Sequence, residues 1–364
     1  MSELFKTPLH AWHKEHGAKM APFAGWDMPI QYRGILAEHQ QTRTQASLFD
    51  ICHMGEFLLK GPGAAVALGR IGTHDLATLA PGKCRYGFLC NQAGGVLDDC
   101  IIYRYAPDSF MIVVNGACTA ADFAWLKSRL PADLDFTDIS DATAKIDLQG
   151  PLALDVAESV FAPDLAAALR GLKYFSFIQT AWDGAPLLVS RTGYTGELGY
   201  ELYLPSEKAL ALWTALLADE RAKPAGLGAR DTLRLELGYP LYGQDLDITH
   251  TPAEAGYGAM LTAAADYVGK AEAGKVREKL VALAIPERRS ARHHDAVALP
   301  SGQVVGVVTS GSFAPSLGHS VALAYVAASV SESSDFVVKT GRAELKAARV
   351  ELPFYKHGTA RKKI

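Results

Sequence analysis

Two adjacent carboxylates, Asp98 and Asp99, interrupt a stretch that otherwise reads as a buried β-hairpin, GGVLDDCIIYRYAPDSFMIVVN (94–115). In an extended strand neighbouring side chains face opposite ways. Asp98 then shares a face with Cys100, Ile102 and Arg104, and Asp99 with Ile101, Tyr103 and Tyr105. Without a bulge the two cannot act as a pair on one substrate; one faces a site and the other is held structurally. The plainer alternative is that both close a turn after Gly94-Gly95, hydrogen-bonded to backbone amides. A buried, unpaired carboxylate costs several kcal/mol or shifts its pKa. A functional Asp98 therefore needs a nitrogen or a cation opposite it.

Two further segments carry groups suited to binding a flat, polar ring. RTGYTGELGYEL (191–202) combines close-approach glycines with Tyr194, Glu197 and Glu201. Glycine lets backbone come near a ligand, tyrosine packs a ring, and a glutamate accepts paired N–H donors from a heterocycle. A glycine-rich hairpin loop with solvent-facing acids is the competing reading. In GLGARDTLRLELG, Arg230 and Arg234 are four residues apart on one helical face, so at least one needs an anionic or ring partner. GLGARD lacks the third glycine of a dinucleotide fingerprint and GPGAAVALG has proline inside the turn, which excludes a Rossmann site. The 11 histidines show no ligand spacing such as HExxH, so no metal is expected. No nucleophile elbow or Cys–His signature is present either.

These groups must be positioned by an ordinary soluble chain: 364 residues, 49% hydrophobic, 21% charged, net charge -3. That length allows more than one core, and that charge offers no bulk field for nucleic acid. The five cysteines, Cys52, Cys84, Cys90, Cys100 and Cys118, sit in apolar or strand-like contexts and read as reduced packing residues. Residues 1–20 carry charges and no apolar stretch, so neither a secretory signal nor a membrane span is expected, and the cytoplasm fits. The basic tail after Arg342 reads as a solvated end or as a surface for an acidic partner.

Residues 19–33 look like an ordered packed loop, 34–48 helical, and 48–61 a strand entering a turn. Helices are expected at 117–130, after Pro151, at 207–219 and from Ala229. Residues 281–352 are dominated by strands with Gly/Ser/Pro turns. Hairpins and helices without regular βαβ units predict an α+β fold.

Taken in order, TPLHAWHKEHGAKMAPFAGWDMPIQY, FDICHMGE, GGVLDD…VVN, RTGYTGELGYE, GLGARDTLRLELGYPLYGQDLD and GVVTSGSFAPSLGHSVALAYV resemble the glycine cleavage system T-protein (aminomethyltransferase) family almost end to end. The resemblance implies a three-domain cloverleaf with antiparallel sheets and a C-terminal β-barrel or jelly-roll-like domain, with tetrahydrofolate in the central hole. The domains would be 1–52 with 141–250, then 53–140, a connecting segment 251–279, and the barrel 280–364. The implied reaction moves the aminomethyl carbon from the lipoyl arm of the partner H-protein to tetrahydrofolate. Its products are ammonia, dihydrolipoyl H-protein and 5,10-methylenetetrahydrofolate.

By the same resemblance Asp98 is the acid beside the reacting folate nitrogens, with Asp99 anchoring the strand from the other face. Glu201 and Arg230 would bind the pterin. Met54, Tyr86, Asn115, Tyr174 or Phe175, and Tyr194 would line the ring, and Arg292 would stand near the lipoyl entrance. Where the family usually has Gly-Leu-Gly-Trp, this chain has Gly256-Tyr257-Gly258-Ala259, leaving Tyr257 or Met260 to fill the missing wall. Two other functions fit such a scaffold: a folate-dependent demethylase of a sulfonium or N-methyl compound, and a non-enzymatic folate-binding accessory protein. Activity with lipoylated H-protein separates the first. The second typically carries a Lys-Gly-Cys-Tyr-x-Gly motif, which Leu241-Tyr242-Gly243-Gln244 lacks.

Overall fold

The alternation of side chains along two central strands sorts the chain's polar chemistry from its core. In the computed structural model, which describes residues 3–364, strands Thr143–Gln149 and Gly199–Pro205 pair antiparallel, Glu201 opposite Asp147 and Tyr203 opposite Lys145. Ala144, Ile146, Leu148, Tyr200, Leu202 and Leu204 enter one hydrophobic core with Trp213 and Leu216 of helix Ala209–Leu217 and Val156 of helix Ala153–Val160. Every second residue between them, Lys145, Asp147, Gln149, Glu201 and Tyr203, therefore points the other way. The sheet has six strands, in the order Phe177–Trp182, Ala185–Ser190, Gly199–Pro205, Thr143–Gln149, Ala46–Asp50 and Ala222–Pro224. The last pair is parallel.

A second sheet orders its five strands Lys83–Cys90, Val96–Ala106, Ser109–Val114, Gly55–Lys60 and Asp135–Asp138. One face, with Phe57, Leu89, Cys100, Ile102, Ile112 and Val114, packs a core with Leu68 and Leu126 from helices Ala64–Gly69 and Thr119–Lys127. The opposite face contributes Cys84, Tyr103, Met111 and Val113, which pack against Phe177, Leu188 and Tyr203 of the six-stranded sheet. These two faces of the sheets thus pack against one another.

Six strands form a closed barrel, Glu278–Ile285, His319–Ala327, Val304–Ala314, Ala296–Ala298, Asp335–Lys339 and Glu344–Val350, with its own core. The α+β class and the terminal barrel accord with the expectation above. Helix Leu227–Leu237 joins the barrel to the first sheet: Arg234 pairs with Asp245 at 2.7 Å and donates to Ser310 Oγ at 2.8 Å. Nearby, buried Arg43 pairs with Glu197 at 2.9 Å and with Glu236 at 2.8 Å.

Two local readings are corrected. Residues 19–33 hold a hairpin, Lys19–Phe23 with Trp26–Gln31, rather than a loop. Its two-residue turn, Ala24-Gly25, has φ of 52° and 86°. Positive φ at both positions suits the twist of a tight hairpin, but alanine at the first hides the Asn/Asp-Gly signal. The basic tail is not a free end. Thr359 donates to Glu197 Oε2 at 2.5 Å, Phe354 is 9% exposed in a core with Leu235, and Arg361 lies 5.7 Å from the Tyr174 ring centre. All five cysteines are buried and free, and no helix is long and apolar enough to cross a membrane, among the described residues.

Candidate active site

The strand Val96–Ala106 delivers the two aspartates to opposite faces, as alternation requires, but it is Asp98 that turns to the covered side. Asp98 follows Cys100 and Ile102 into the helix-covered core and is 0% exposed. Its oxygens accept the Asn115 backbone N–H at 2.9 Å and the Asn115 Nδ2 at 2.8 Å, and Cys118 and Asp122 close over it. The expectation that Asp98 faces a ligand while Asp99 anchors the strand is therefore corrected. The polar core under helix Thr119–Lys127, not visible from strand periodicity, takes Asp98. Asp99 lies on the face of Tyr86, Phe88 and Tyr103, is partly exposed, and accepts Asn115 Nδ2 at 2.9 Å. The Tyr86 hydroxyl, buried and without another partner among the described residues, stands beside it. Tyr194 and Tyr257 are also close enough to feel its charge. Burial, and then the neighbouring Asp98, push the Asp99 carboxyl up to about 7.

On the six-stranded sheet, the face turned away from the hydrophobic core assembles a charge-paired cluster. Glu201, 4% exposed, accepts Thr192 Oγ1 at 2.6 Å and meets Lys145 Nζ at 3.3 Å. Burial opposes its ionisation, but Lys145, Thr192 and Arg230 hold its carboxyl below the usual carboxylate value. Arg230 pairs with buried Asp147 at 2.6 Å, and its guanidinium carbon sits 4.9 Å from the Tyr194 ring centre. So Arg230 has both kinds of partner sought for it, and Arg234 has Asp231 and Asp245. Tyr194 stacks on Tyr239 at 5.8 Å and donates its hydroxyl to the Pro240 carbonyl.

Among the ring-lining candidates, Met54 Sδ lies 3.3 Å from Lys145 Nζ and packs in the inter-sheet core with Phe175. Tyr174 and Phe175 meet edge to face at 4.8 Å. Phe175 has a φ of 58°, a left-handed conformation costly for a bulky residue, held by backbone bonds to Arg191 at 3.0 Å and Cys84 at 3.1 Å. Tyr257 packs on Tyr86 at 5.8 Å and Phe88 at 5.3 Å, supplying an aromatic wall next to Ala259. Met260 borders a cavity of about 230 Å³ with Tyr86, Arg85 and Thr78.

Met54, Lys145 and Glu201 share one cluster, Arg230 and Tyr194 a second, and Tyr86, Asp99 and Asn115 a third whose Asp99 charge reaches Tyr194. Arg292 is not among them. It is exposed, donates to the Gly311 carbonyl at 3.0 Å, and lines a cavity of about 340 Å³ with Asp231, Arg234 and His293. Sequence reasoning missed Lys145 and Asp147. Their signal was present as charges alternating with Ile146 in AKIDLQG, a pattern that puts both on one face of a central strand. Glu56 was also missed: it is 1% exposed, and burial pushes its carboxyl up to about 8. Asp98, Cys118 and Asp122 form a buried group whose ligand-type atoms lie within 4.8 Å of one another.

Comparison with known proteins places the chain in a family. The GCVT N-terminal domain family matches residues 9–264, and the glycine cleavage T-protein C-terminal barrel domain family matches residues 278–356. An aminomethyltransferase from Thermotoga maritima is 42% identical over 368 residues, covering 99% of this chain and 100% of its own length. One from Listeria monocytogenes serotype 4a is 40% identical, covering 98% and 99%. The crystal structure of glycine cleavage system aminomethyltransferase T from Bartonella henselae superimposes with a TM-score of 0.90 at 33% identity, covering 98% of this chain and 99% of that one.

Proposed function

Because this chain belongs to the glycine cleavage T-protein family, we propose that its cleft binds tetrahydrofolate with Asp99 as the acid beside the reacting nitrogens. The chain is a tetrahydrofolate-dependent aminomethyltransferase. In that reaction the methylene carbon leaves sulfur and the amine nitrogen and ends bonded to two folate nitrogens. Ammonia departs and the lipoyl thiol is regenerated.

The single observation that carries the residue assignment is the division of the two aspartates. Asp98 is sealed beneath Asn115 and Asp122, whereas Asp99 is partly exposed on the face of Tyr86 and Phe88, with Tyr194 and Tyr257 within reach of its charge. As a carboxylate, Asp99 accepts a folate N–H and stabilises the cationic character that develops when the aminomethyl carbon sheds ammonia. Fixed in place by Asn115, it undergoes little reorganisation during the step.

The pterin would lie between the two sheets. Glu201 accepts adjacent ring N–H donors with the lone pairs that Lys145 and Thr192 leave free. Arg230, oriented by Asp147, offers its remaining donors to the ring carbonyl. Met54, Tyr86, Asn115, Tyr174, Phe175 and Tyr194 supply flat apolar or amide contact, with Tyr257 as a further wall. The partner implied by the family is the lipoylated H-protein. The cavity containing exposed Arg292 adjoins helix Leu227–Leu237 through Asp231 and Arg234, which suits an entrance for its arm.

Substitution of each aspartate tests the assignment. Asp99→Asn is expected to lower turnover roughly 10- to 1,000-fold while leaving the thermal midpoint near that of the parent. Turnover of this variant within a factor of three of the parent would remove Asp99 from the chemistry.

A further inference from the structure

Behind Asp99 lies a second pair of carboxyls that the reaction as described does not use. Asp98 is 0% exposed and Asp122, in the first turn of helix Thr119–Lys127, is 4% exposed. Their oxygens and the Cys118 sulfur lie within 4.8 Å of one another, and no lysine, arginine or histidine pairs with either carboxyl among the described residues. Asp122 Oδ2 is buried and has no donor from elsewhere in the protein. The groups around the pair are Cys100 on the same strand face, Asn115 and Cys118 after the hairpin, and, within reach of its charge, Asp99 on the opposite face and Tyr242 from the segment beyond helix Leu227–Leu237. None is a cation.

Two carboxylates this close, buried and uncompensated, cannot both be ionised; one proton is retained between them. That proton, carried by Asp122 toward the Asp98 carboxylate, also gives Asp122 Oδ2 the hydrogen-bond partner it otherwise lacks. On the other side of Asp98, both oxygens accept from Asn115, whose Nδ2 reaches Asp99 Oδ1 at 2.9 Å. With the shared proton in place, a chain of hydrogen bonds would run from Asp122 to Asp98 and on through the Asn115 bonds to Asp99.

We propose that Asp98 and Asp122 hold one proton between them and, through Asn115, act as positioning residues that set both the orientation and the charge state of Asp99. The inference rests on the assignment of Asp99 to the folate cleft. The pair presents a single negative charge to Asp99 rather than two. That charge, added to burial, keeps the Asp99 carboxyl near 7, with Tyr86, Tyr194 and Tyr257 as its other titratable neighbours. Since the carboxylate is the working form, activity falls as pH drops through that value.

The test is the pH profile of kcat/KM for tetrahydrofolate, with aminomethyl-loaded H-protein as donor. Asp98→Asn removes the charge behind Asp99 and is expected to move the acidic limb to lower pH by on the order of one unit. Asp122→Leu removes the shared-proton donor, leaves Asp98 holding its own proton, and is expected to move the limb the same way. Asp122→Asn keeps an N–H to donate, keeps Asp98 charged, and is expected to leave the limb in place. A purely structural role would lower turnover in these variants without separating their limbs. An unmoved limb in Asp98→Asn, or an equal shift in Asp122→Asn and Asp122→Leu, overturns the proposal. If Asp122→Leu does not fold, the contrast between Asp98→Asn and Asp122→Asn still decides. Asp99→Asn run alongside separates the two failures: an active Asp99→Asn sinks the site assignment, whereas an inactive one with an unmoved Asp98→Asn limb sinks only the proton pair.

Discussion

Asn115 is the residue on which the cleft's acid depends. One side-chain amide nitrogen donates to carboxylates that point to opposite faces of a strand, which is possible because Asn115 sits just past the end of Ser109–Val114, beside the edge of the pair it bridges. Replacing it by leucine leaves Asp98 and Asp99 each short of a donor. Asn115→Leu is therefore expected to lower stability by about 1–3 kcal/mol and turnover by at least an order of magnitude. Urea denaturation and steady-state assay check the two effects separately. Glu56 gives a pH-dependent counterpart in the same sheet. Its folded pKa, about 8, lies above the model-compound value of 4.5. The protonated form is thus favoured in the fold: its contribution is complete below about 4.5 and is lost as pH rises through 8. Glu56→Gln is expected to match the parent's stability at pH 5 and to exceed it by roughly 1–4 kcal/mol at pH 9, read from urea unfolding at both pH values. At this scale the residue types were legible and their facing was not. The alternation around the two aspartates is plain in LDDCII, but which face is covered by a helix depends on a segment that follows in the chain and folds back over it.

Strands and helices set the charge pairing. The cross-strand register that places Glu201 opposite Asp147 would be repulsive on its own. Lys145 from the same strand and Arg230 from helix Leu227–Leu237 neutralise it. Arg230 is therefore structural as well as ligand-facing. Arg230→Leu leaves Asp147 buried and unpaired and is expected to cost about 3–5 kcal/mol as well as weaken folate binding. Adding Asp147→Asn is expected to restore most of the stability and none of the affinity, which calorimetric titration with tetrahydrofolate resolves. The elements themselves were mostly readable, because apolar periodicity of two or about 3.6 survives in each: the 96–114 hairpin, the Ala209–Leu217 helix and the barrel strands all follow it. The 19–31 hairpin was not, because its turn carries alanine at a positive φ where asparagine or glycine would have advertised it.

At the scale of the whole molecule, the C-terminal segment packs against Arg43, Glu197 and Glu236. Tyr355 donates its backbone N–H to the Glu236 carbonyl at 2.8 Å and receives the Arg43 guanidinium over its ring at 4.2 Å, while Thr359 caps Glu197. Removing residues beyond Leu352 strips these contacts and buried Phe354 together. A loss of about 2–4 kcal/mol in unfolding free energy is expected, and unchanged stability would mean the tail's contacts carry no weight. Six motifs in family order made the overall architecture and reaction legible, because each motif belongs to a packed or ligand-lining segment shared across the matched length. The tail's docking was illegible, since basic composition describes its surface and not the Glu197 carboxylate it covers.

The most direct measurement is ammonia release and 5,10-methylenetetrahydrofolate formation from aminomethyl-loaded H-protein by the parent chain, Asp98→Asn and Asp99→Asn, with and without tetrahydrofolate. The structure predicts folate-stimulated release by the parent, its loss in Asp99→Asn, and measurable folate-stimulated release with a displaced acidic limb in Asp98→Asn. Release abolished in Asp98→Asn and preserved in Asp99→Asn would contradict the assignment of the cleft.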